Sequence, residues 1–348
     1  MSTPFVSVLV PVFNGERFLD EAVASVLRQD FADFELLVVD DGSTDRTPEL
    51  LRAWCERDGR VVVVTAPRNL GISAASNLGL RQARGTYVAR LDSDDVMMPG
   101  RLAAQAALLD ARPDVVMVSS AYEVIDEAGR VLGAGRSEEA HEVVQHLLGF
   151  YNSAGGNGRA MYRRDALLRA RGYREEYSIS VDYDLAVRLL RLGRFATLPM
   201  LGIQQREHGA QSTNRFRDRK REVWSAIMRD ALTQTLQREV TPQEIDALIT
   251  VWRIDGALGM ASIANHVMRE AYARFCSEHA AKEHRAAIRR RTANQWVDGA
   301  RFFWSHGQRA EAARYAWFAV RWHPAVAWQR LGARALPYLA RHARHERT

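Results

Sequence analysis

The chain of 348 residues is long enough for two structural units, or for one large α/β domain with an appendage. Its hydrophobic content of 47% fits a soluble protein with a real core, and no apolar run approaches the ~20 residues that span a bilayer. The net charge of +6 is unevenly spread: residues 1–120 carry 12 Arg against 17 acids, and residues 283–348 carry 13 Arg against 4 acids.

The N-terminal stretch "MSTPFVSVLVPVFNG" has no basic segment before its apolar residues, so it predicts a buried strand and not a signal peptide. The two cysteines, Cys55 and Cys276, lie far apart and match no metal-binding or disulfide spacing. Both features predict a protein of the reducing cytoplasm.

Apolar runs and helical periodicities alternate over the first hundred residues. Strands are predicted at 5–13, 34–45, 60–66 and 86–92, and helices at 14–30, 48–58 and 71–85. The nearly continuous apolar character of the strands predicts an α/β, Rossmann-like fold with a mostly parallel sheet flanked by helices. Ligands of such sheets bind at the carboxyl ends of the strands.

The pattern is looser beyond residue 100. The segment 101–111 is helical, 114–126 is strand-like, and 180–194 has leucines along one helical face. From about residue 215 onward nearly all segments are helix-like and rich in Ala, Arg and Trp, which predicts an α-helical C-terminal region.

Three acids, Asp92, Asp94 and Asp95, crowd into four residues directly after the fourth predicted strand. Carboxylates this close repel one another, and a cation usually offsets that repulsion. Mg²⁺ and Mn²⁺ often take one or two carboxylates, with phosphate oxygens and water completing the shell. The strand end therefore indicates a site for a metal and a diphosphate; a turn with helix-capping acids is the plainer alternative.

The segment "VVDDGSTD" (38–45) ends the second predicted strand. One reading is a polar turn, with Gly42 at positive φ and a Ser, Thr or Asp capping the next helix. The other is a nucleotide-binding turn whose carboxylates accept hydrogen bonds from a base or ribose. The residues alone leave both readings open.

Two further segments contain polar residues that could take part in catalysis or binding. Asp182 and Asp184 lie near the start of a predicted helix, where acids either interact with the helix dipole or serve as a general base. His208, in "QQREHGAQST", is either a surface histidine or a ligand, and the nearby Arg206 is either solvated or binds phosphate.

In this order and at about these distances, the four motifs resemble the family 2 glycosyltransferases of the GT-A fold. The matching stretches are "VSVLVPVFNGERFLDEAVASVLRQ", "FELLVVDDGSTDRT", "NLGISAASNLGLRQARGTYVARLDSDDVMMPGRL" and "VDYDLAVRLLRLG". The resemblance covers roughly residues 5–215 and is highly specific over 5–102.

This resemblance implies a GT-A catalytic domain followed by a helical extension. The implied ranges are 1–215 for the catalytic domain, with nucleotide-sugar binding at about 1–102 and the acceptor and base region at about 103–215, and 216–348 for the α-helical C-terminal region.

The resemblance also implies roles for particular residues. The turn after the first strand lies under the nucleotide, an acid of the second turn contacts the base, with Asp41 preferred over Asp40, and Asp92 lies on the ribose side. The residues implied for the nucleotide are thus Pro11, Val12, Asn14, Glu16, Asp40, Asp41 and Asp92.

Metal and base residues follow from the same resemblance. Asp94 is implied as a metal ligand, His208 as a residue that approaches the metal or diphosphate, and Asp182 as the general base of an inverting enzyme. The family often has Glu-Asp where this chain has Val181-Asp182. The missing carboxylate keeps Asp184 open as an alternative base.

The expected function is metal-dependent, inverting transfer of a sugar from a nucleotide-diphosphate sugar to a hydroxyl of a glycan or lipid-linked glycan, in cell-surface polysaccharide synthesis. The expected nucleotide is UDP or dTDP, and the expected cofactor is Mg²⁺ or Mn²⁺. Two alternatives stay open. A nucleotidyltransferase would show a glycine- and basic-rich phosphate loop, and "PVFNGERF" is a poor one; a non-catalytic nucleotide-sugar-binding relative would tend to lack an acid at Asp182.

Six of the eight Trp residues lie after residue 250 and are interleaved with Arg. Such residues suit peripheral contact with anionic headgroups at the inner face of the cytoplasmic membrane. The alternative is a helical subdomain that packs its Trp residues on the catalytic domain or on a second subunit, as in a homodimer. The acidic first part argues against nucleic acid as a partner.

Overall fold

A computed structural model describes residues 4–136, 140–209, 219–253, 258–279 and 281–332. The chain divides into two compact units. The sheet unit comprises residues 1–144 and 152–223, and the helical unit comprises residues 145–151 and 224–348. The predicted domain boundary at residue 215 lies outside the described residues.

The sheet unit begins with four strands that alternate with three helices. The strands are β1 (Val6–Val12), β2 (Phe34–Asp40), β3 (Val61–Thr65) and β4 (Tyr87–Arg90), and the helices are α1 (Leu19–Leu27), α2 (Thr47–Arg57) and α3 (Ile72–Gln82). The four strands are parallel neighbours in the order β3-β2-β1-β4. Every element predicted over the first hundred residues is therefore present.

Burial explains why these strands could be predicted from the sequence. Every residue of β1 and of β2 is buried, because helices cover both faces of a parallel sheet. Their apolar side chains form one core with residues of α1 and α4 (Arg101–Ala111), including Val8, Leu36, Val23 and Leu102.

The second half of the sheet mixes strand directions. Its members are β5 (Val96–Met97), β6 (Val115–Ile125), β7 (Val131–Gly135), β8 (Met161–Arg163) and β9 (Arg194–Arg206). Strand β8 joins β4 antiparallel, β6 follows, and β9 lies parallel to β6. Strands β5 and β7 add antiparallel edges. The predicted α/β fold of GT-A type, with a mostly parallel sheet, is confirmed.

Three more helices belong to this part of the chain: α5 (His141–Leu147), α6 (Arg164–Arg169) and α7 (Val181–Leu189). The helix predicted at 180–194 is shorter than expected, because the chain leaves it after Leu189 and pairs with β6 from Arg194 onward. Helix α5 carries the chain out of the sheet unit, and residue 152 brings it back.

Helices make up the regular structure of the described C-terminal part, as predicted. They are α8 (Lys220–Leu236), α9 (Pro242–Arg253), α10 (Ala261–Glu278), α11 (Lys282–Ser305), α12 (Arg309–Trp322) and α13 (Pro324–Leu331). None of the helices in the described part of the chain combines the length and the apolar character needed to cross a bilayer.

The Trp residues of the helical unit divide between core and surface. Trp296 is fully buried, with its ring 5.0 Å from that of Tyr315, and Trp322 is buried with its Nε1 donating a hydrogen bond of 2.9 Å to Asn265. Trp304 and Trp328 are 48% and 52% exposed. Packing within its own unit thus accounts for part of the Trp content.

Candidate active site

The turns that follow β1 and β2 lock onto each other. The backbone N–H of Asn14 donates to the hydroxyl of Ser43 at 2.9 Å, and the Asn14 side-chain oxygen accepts from the Thr44 N–H at 2.8 Å. The carboxylate of Glu16 accepts from the Arg46 N–H at 3.0 Å. Asn14 has φ +52°, a value that Asn tolerates better than most residues. The two turns therefore form one rigid edge of the sheet.

Asp40 and Asp41 lie at the same edge and are both buried. Asp40 accepts the Ser43 N–H at 3.0 Å, and the two oxygens of Asp41 accept the N–H groups of Leu70 and Gly71 at 2.8 and 2.9 Å. Burial raises the pKa of Asp41, and these two backbone hydrogen bonds oppose that rise. Each carboxylate oxygen has a second lone pair, so Asp41 keeps acceptor capacity for a ligand.

Phe13 is a candidate residue that the motifs did not reveal. It directly follows Pro11 and Val12, which are buried in β1, and its ring is partly exposed beside the linked turns. An exposed aromatic ring next to hydrogen-bonding carboxylates can stack on a base. An aromatic residue directly after an apolar strand is the signal that sequence reasoning left unused.

Asp92 lies just past the end of β4 and forms an ion pair with the buried Arg90. Arg90 donates to the Leu9 carbonyl oxygen at 2.9 Å and to Asp92 at 3.2 Å. The side chain of Asp92 is 41% exposed, yet its pKa is raised above the ordinary value for aspartate. Desolvation is the largest cause, and the negative charges of Asp94 and Asp182 add to it. The positive charge of Arg90 opposes the rise. Asp92 and Asp182 are thus close enough to repel each other.

Asp95 points away from solvent and ties the acidic turn to β9. It accepts the backbone N–H of Arg206 at 2.9 Å, and the Arg206 guanidinium donates to the Asp94 carbonyl oxygen at 3.0 Å and to Glu21 at 2.6 Å. Burial, followed by repulsion from Asp94 and Asp92, raises the pKa of Asp95 well above its usual range. Arg206 therefore serves the structure of the turn.

Asp94 and His208 meet, although 114 residues separate them in the chain. His208 Nε2 lies 2.9 Å from Asp94 Oδ2, and the two side chains are 11% and 26% exposed. No group of three or more Asp, Glu, His and Cys side chains in the described residues is arranged to hold a metal ion. An oxygen and nitrogen pair still fits Mg²⁺ or Mn²⁺, because these ions complete their shell with phosphate oxygens and water.

Asp182 is the second residue of α7, which begins at Val181 after Ser180. Its Oδ1 accepts the Tyr183 N–H and its Oδ2 accepts the Asn152 side-chain amide, both at 2.9 Å. Burial raises the pKa of Asp182 despite these hydrogen bonds. A partly buried carboxylate with a raised pKa has the proton affinity that a general base needs.

Asp184, two residues further along α7, is in a different environment. It is buried, its Oδ1 lies 3.0 Å from Arg174, and its Oδ2 lies 2.6 Å from Arg188. Two guanidinium groups occupy this carboxylate, so a substrate hydroxyl has no open route to it. Of the two candidate bases left by the sequence, Asp182 is the less buried and has no ion pair among the described residues.

A glycine-rich loop joins the two groups of acids. A Cβ on Gly158 would lie 3.1 Å from carboxylate oxygens of both Asp92 and Asp95, and a Cβ on Gly156 would lie 3.7 Å from Asp182. Arg101, which is buried in α4, donates to the Gly158 carbonyl oxygen at 2.7 Å and holds the loop. Burial lowers the pKa of Arg101 to about 9. Asp92, predicted for the ribose, and Asp182, predicted as the base, thus lie around one loop.

The fold and this arrangement of acids at the strand ends define the class of protein: a glycosyltransferase with a GT-A fold. Residues 7–169 match the model of the family described as Glycosyl transferase family 2. An uncharacterized glycosyltransferase of Haemophilus influenzae is 28% identical over 247 residues, which are 68% of this chain and 75% of that protein. The predicted family is confirmed.

Two solved structures share the fold. Staphylococcus aureus TarS, in complex with UDP-GlcNAc, has a TM-score of 0.55 at 17% identity, and the match covers 92% of each chain. The mannosyltransferase PcManGT from Pyrobaculum calidifontis, in complex with GDP-Man and Mn²⁺, has a TM-score of 0.53 at 18% identity, and the match covers 94% of this chain and 88% of that one.

Proposed function

We propose that the sheet unit transfers a sugar, with inversion, from a nucleotide-diphosphate sugar to a hydroxyl of a glycan or lipid-linked glycan. The observation that carries the proposal is the grouping of Asp92 and Asp182 around the 155–158 loop, with the Asp94–His208 pair close to Asp92. The bound UDP-GlcNAc of TarS and the bound GDP-Man of PcManGT support a nucleotide sugar as the donor. We favour UDP or dTDP as the nucleotide of the donor, and the similarity to PcManGT adds GDP to the nucleotides to be tested.

The proposed chemistry uses Asp182 as the base. The acceptor hydroxyl oxygen attacks the anomeric carbon from the face opposite the diphosphate, and the bond from that carbon to the diphosphate oxygen breaks. Asp182 takes the hydroxyl proton as the new bond forms. The products are the glycoside, with inverted configuration, and the nucleoside diphosphate.

Asp94 and His208 are the residues proposed to hold Mg²⁺ or Mn²⁺. A divalent ion at that pair would neutralise charge on the departing diphosphate. The Mn²⁺ bound by PcManGT supports a metal of this kind. Asp92, repelled by both Asp94 and Asp182, is the residue proposed to accept hydrogen bonds from the ribose.

The nucleotidyltransferase alternative is disfavoured by the turn after β1. The backbone N–H groups of Asn14, Gly15 and Glu16 donate to side chains of Ser43, Thr47 and Asp45, at 2.9, 2.9 and 3.1 Å. A phosphate-cradling loop needs such N–H groups for its ligand. In this chain they hold two turns together instead.

The test is a donor screen with the full chain. Binding of UDP, dTDP and GDP sugars, each with Mn²⁺, would be measured by thermal shift, and the nucleotide product would be identified after incubation with a mixed glycan acceptor pool. We expect release of nucleoside diphosphate, and NMR of the product should give a β-glycoside from an α-linked donor. Release of sugar 1-phosphate, with transfer of the nucleoside monophosphate, would support a nucleotidyltransferase instead, and an α-glycoside would contradict inversion.

A further inference from the structure

Arg159 is a cation near the proposed base, and a hydrogen bond with Tyr122 satisfies only part of its guanidinium group. It ends a single 3₁₀ turn (Asn157–Arg159) on the loop that joins the two groups of acids, and its guanidinium carbon lies 4.1 Å from the centre of the Tyr122 ring. Its Nε and Nη1 are buried and have no hydrogen-bond partner among the described residues. The residue as a whole keeps part of its surface exposed.

Arg101 and Arg163 do not share this feature, whereas Arg90 and Arg164 each leave a single buried nitrogen, Nε, without a partner in the described chain. Arg101 donates from all three guanidinium nitrogens, and Arg163, four residues beyond Arg159, donates to three carbonyl oxygens. Buried donors of a charged group are costly to leave unpaired, so unmet donors beside a reaction site call for a ligand. A ligand for a guanidinium is an anion with two oxygens, since its planar fork matches a carboxylate or a phosphate.

The position of Arg159 points to the acceptor and not to the donor. Arg159 lies three residues beyond Gly156, where a Cβ would be 3.7 Å from an Asp182 carboxylate oxygen. Asp182 is the acid whose charge acts on Arg159, whereas Arg90 and Arg101 are the cations that act on Asp92. Asn152, which donates to Asp182, also has its Oδ1 buried without a partner in the described chain. An unmet donor and an unmet acceptor thus flank the base.

We propose that Arg159, stacked on Tyr122, forms an anion-binding subsite for the acceptor, so that the acceptor glycan carries a carboxylate or a phosphate near the hydroxyl that receives the sugar. The inference rests on the proposed function, because it takes Asp182 as the base. Arg159 binds the anionic group, and Asn152 Oδ1 accepts a hydrogen bond from a sugar hydroxyl. The subsite selects charged acceptor residues over neutral ones.

The experiment compares matched probes by saturation-transfer NMR, with UDP and Mn²⁺ present. The probes are methyl β-D-glucoside, methyl β-D-glucuronide and methyl β-D-glucoside 6-phosphate, which distinguish a carboxylate from a phosphate. We expect tighter binding of one anionic probe than of the neutral probe. Arg159→Gln should lower the affinity for the anionic probe by ~10–100-fold, the range expected for a charge-assisted hydrogen-bonded pair. The affinity for the neutral probe should not change.

Two variants separate this role from a structural one. Arg159→Lys keeps the charge and should retain part of the preference, and Arg169→Gln, an exposed arginine of α6, should retain all of it. Equal binding of all three probes to the unmodified chain would overturn the inference, as would an equal loss of all probes in Arg159→Gln. Failure of the donor screen leaves these binding results intact, so the two proposals fail separately.

Discussion

Asp182 and Asp184 lie two residues apart on one helix turn and have opposite fates. Asp184 is buried between Arg174 and Arg188. Asp182 has hydrogen bonds from a backbone N–H and from Asn152, but no ion pair among the described residues, and burial raises its pKa. The Asp184 carboxylate is held by two ion pairs, and the Asp182 carboxylate is the one that we propose as the proton acceptor.

We expect Asp182→Asn to lower turnover by ~10²–10⁴, the range that a general base contributes, with donor binding nearly unchanged. The melting temperature should stay the same or rise, because a carboxyl with a raised pKa costs stability at pH values above that pKa. Steady-state kinetics and thermal shift measure both effects. Near-normal turnover would exclude Asp182 as the base.

Asp184→Asn is the matched control for this variant. It leaves two arginines without their buried carboxylate, and breaking such a buried pair costs ~3–5 kcal/mol. A clear loss of melting temperature is therefore expected for Asp184→Asn and not for Asp182→Asn. In the unmodified enzyme, turnover should decline on acidification at a higher pH than for an ordinary aspartate, because the raised pKa protonates the base earlier.

Asp94→Asn should remove the part of nucleotide affinity that depends on metal. The carboxylate is the proposed hard oxygen ligand of the Asp94–His208 pair, and an amide is a much weaker ligand for Mg²⁺ or Mn²⁺. Calorimetry with UDP should show at least a tenfold loss, which is ~1.4 kcal/mol, in the presence of Mn²⁺ and little change without it. Glu207→Gln, an exposed acid beside His208, is the control. Equal metal-dependent affinity in the Asp94 variant would refute the assignment.

At the scale of elements, the turn after β2 depends on Gly42. Its φ is +74°, the conformation expected from the polar-turn interpretation of the sequence, and a Cβ there would meet the backbone of Arg68 at 2.6 Å. That close approach brings the 68–71 segment to Asp41, whose two oxygens accept from Leu70 and Gly71. The turn and the carboxylate thus position each other.

Gly42→Ala should destabilise the sheet unit by more than Gly129→Ala. Both glycines have positive φ, +74° and +80°, so both variants carry the backbone strain of ~1–3 kcal/mol. Only Gly42 adds a clash, since nothing lies within 4 Å of a Cβ at Gly129. Urea unfolding of the two variants measures the difference. Equal losses would mean that the 68–69 backbone moves away freely.

At the scale of the whole molecule, the two units should respond differently to acid. His146 of the helical unit is packed against Phe150, Tyr272 and Phe275, and burial, with His279 nearby, lowers its pKa to about 3. The unfolded chain binds a proton with a pKa of about 6.5. Between these two values the unfolded state holds more protons, so stability falls as the pH falls.

We expect the helical unit to lose up to ~1.4 kcal/mol of unfolding free energy per pH unit below about pH 6.5 on account of this one residue. His146→Phe should flatten that dependence, and His266→Gln, at an exposed position of α10, should not. Trp fluorescence follows this unit, because seven of the eight Trp residues belong to it. An unchanged pH dependence in His146→Phe would contradict the assignment.

Membrane contact through the C-terminal region stays a prediction with a narrower test. Removing α12 and α13 would expose the helical core, because Tyr315 and Trp322 are buried in it. Residues 333–348, which carry four Arg and one Glu and lie outside the described residues, can be removed after Gly332. Full-length chain should cosediment with anionic vesicles at low salt and less so without this segment, since each Arg contributes ~1 kcal/mol near such a surface. Full-length protein that stays in the supernatant would exclude this contact.

The sequence by itself determined the parallel half of the sheet and the family. Buried parallel strands must be apolar throughout, and the acids that follow β2 and β4 stand out against such runs. The positive φ of Gly42 was predictable for the same reason, because a turn has a local geometry that local residues dictate. These are properties of short stretches of chain.

Only the tertiary structure decided which acids are available and what holds them. Asp94 contacts His208, although 114 residues separate them in the chain. Arg206 donates a hydrogen bond to the acidic turn, and Asp184 is buried in ion pairs with two arginines. Arg159 lies beside the base through a loop that no motif marked. Side-chain accessibility, desolvation and ion pairing depend on atoms brought together from distant segments, and no spacing within a single segment encodes them.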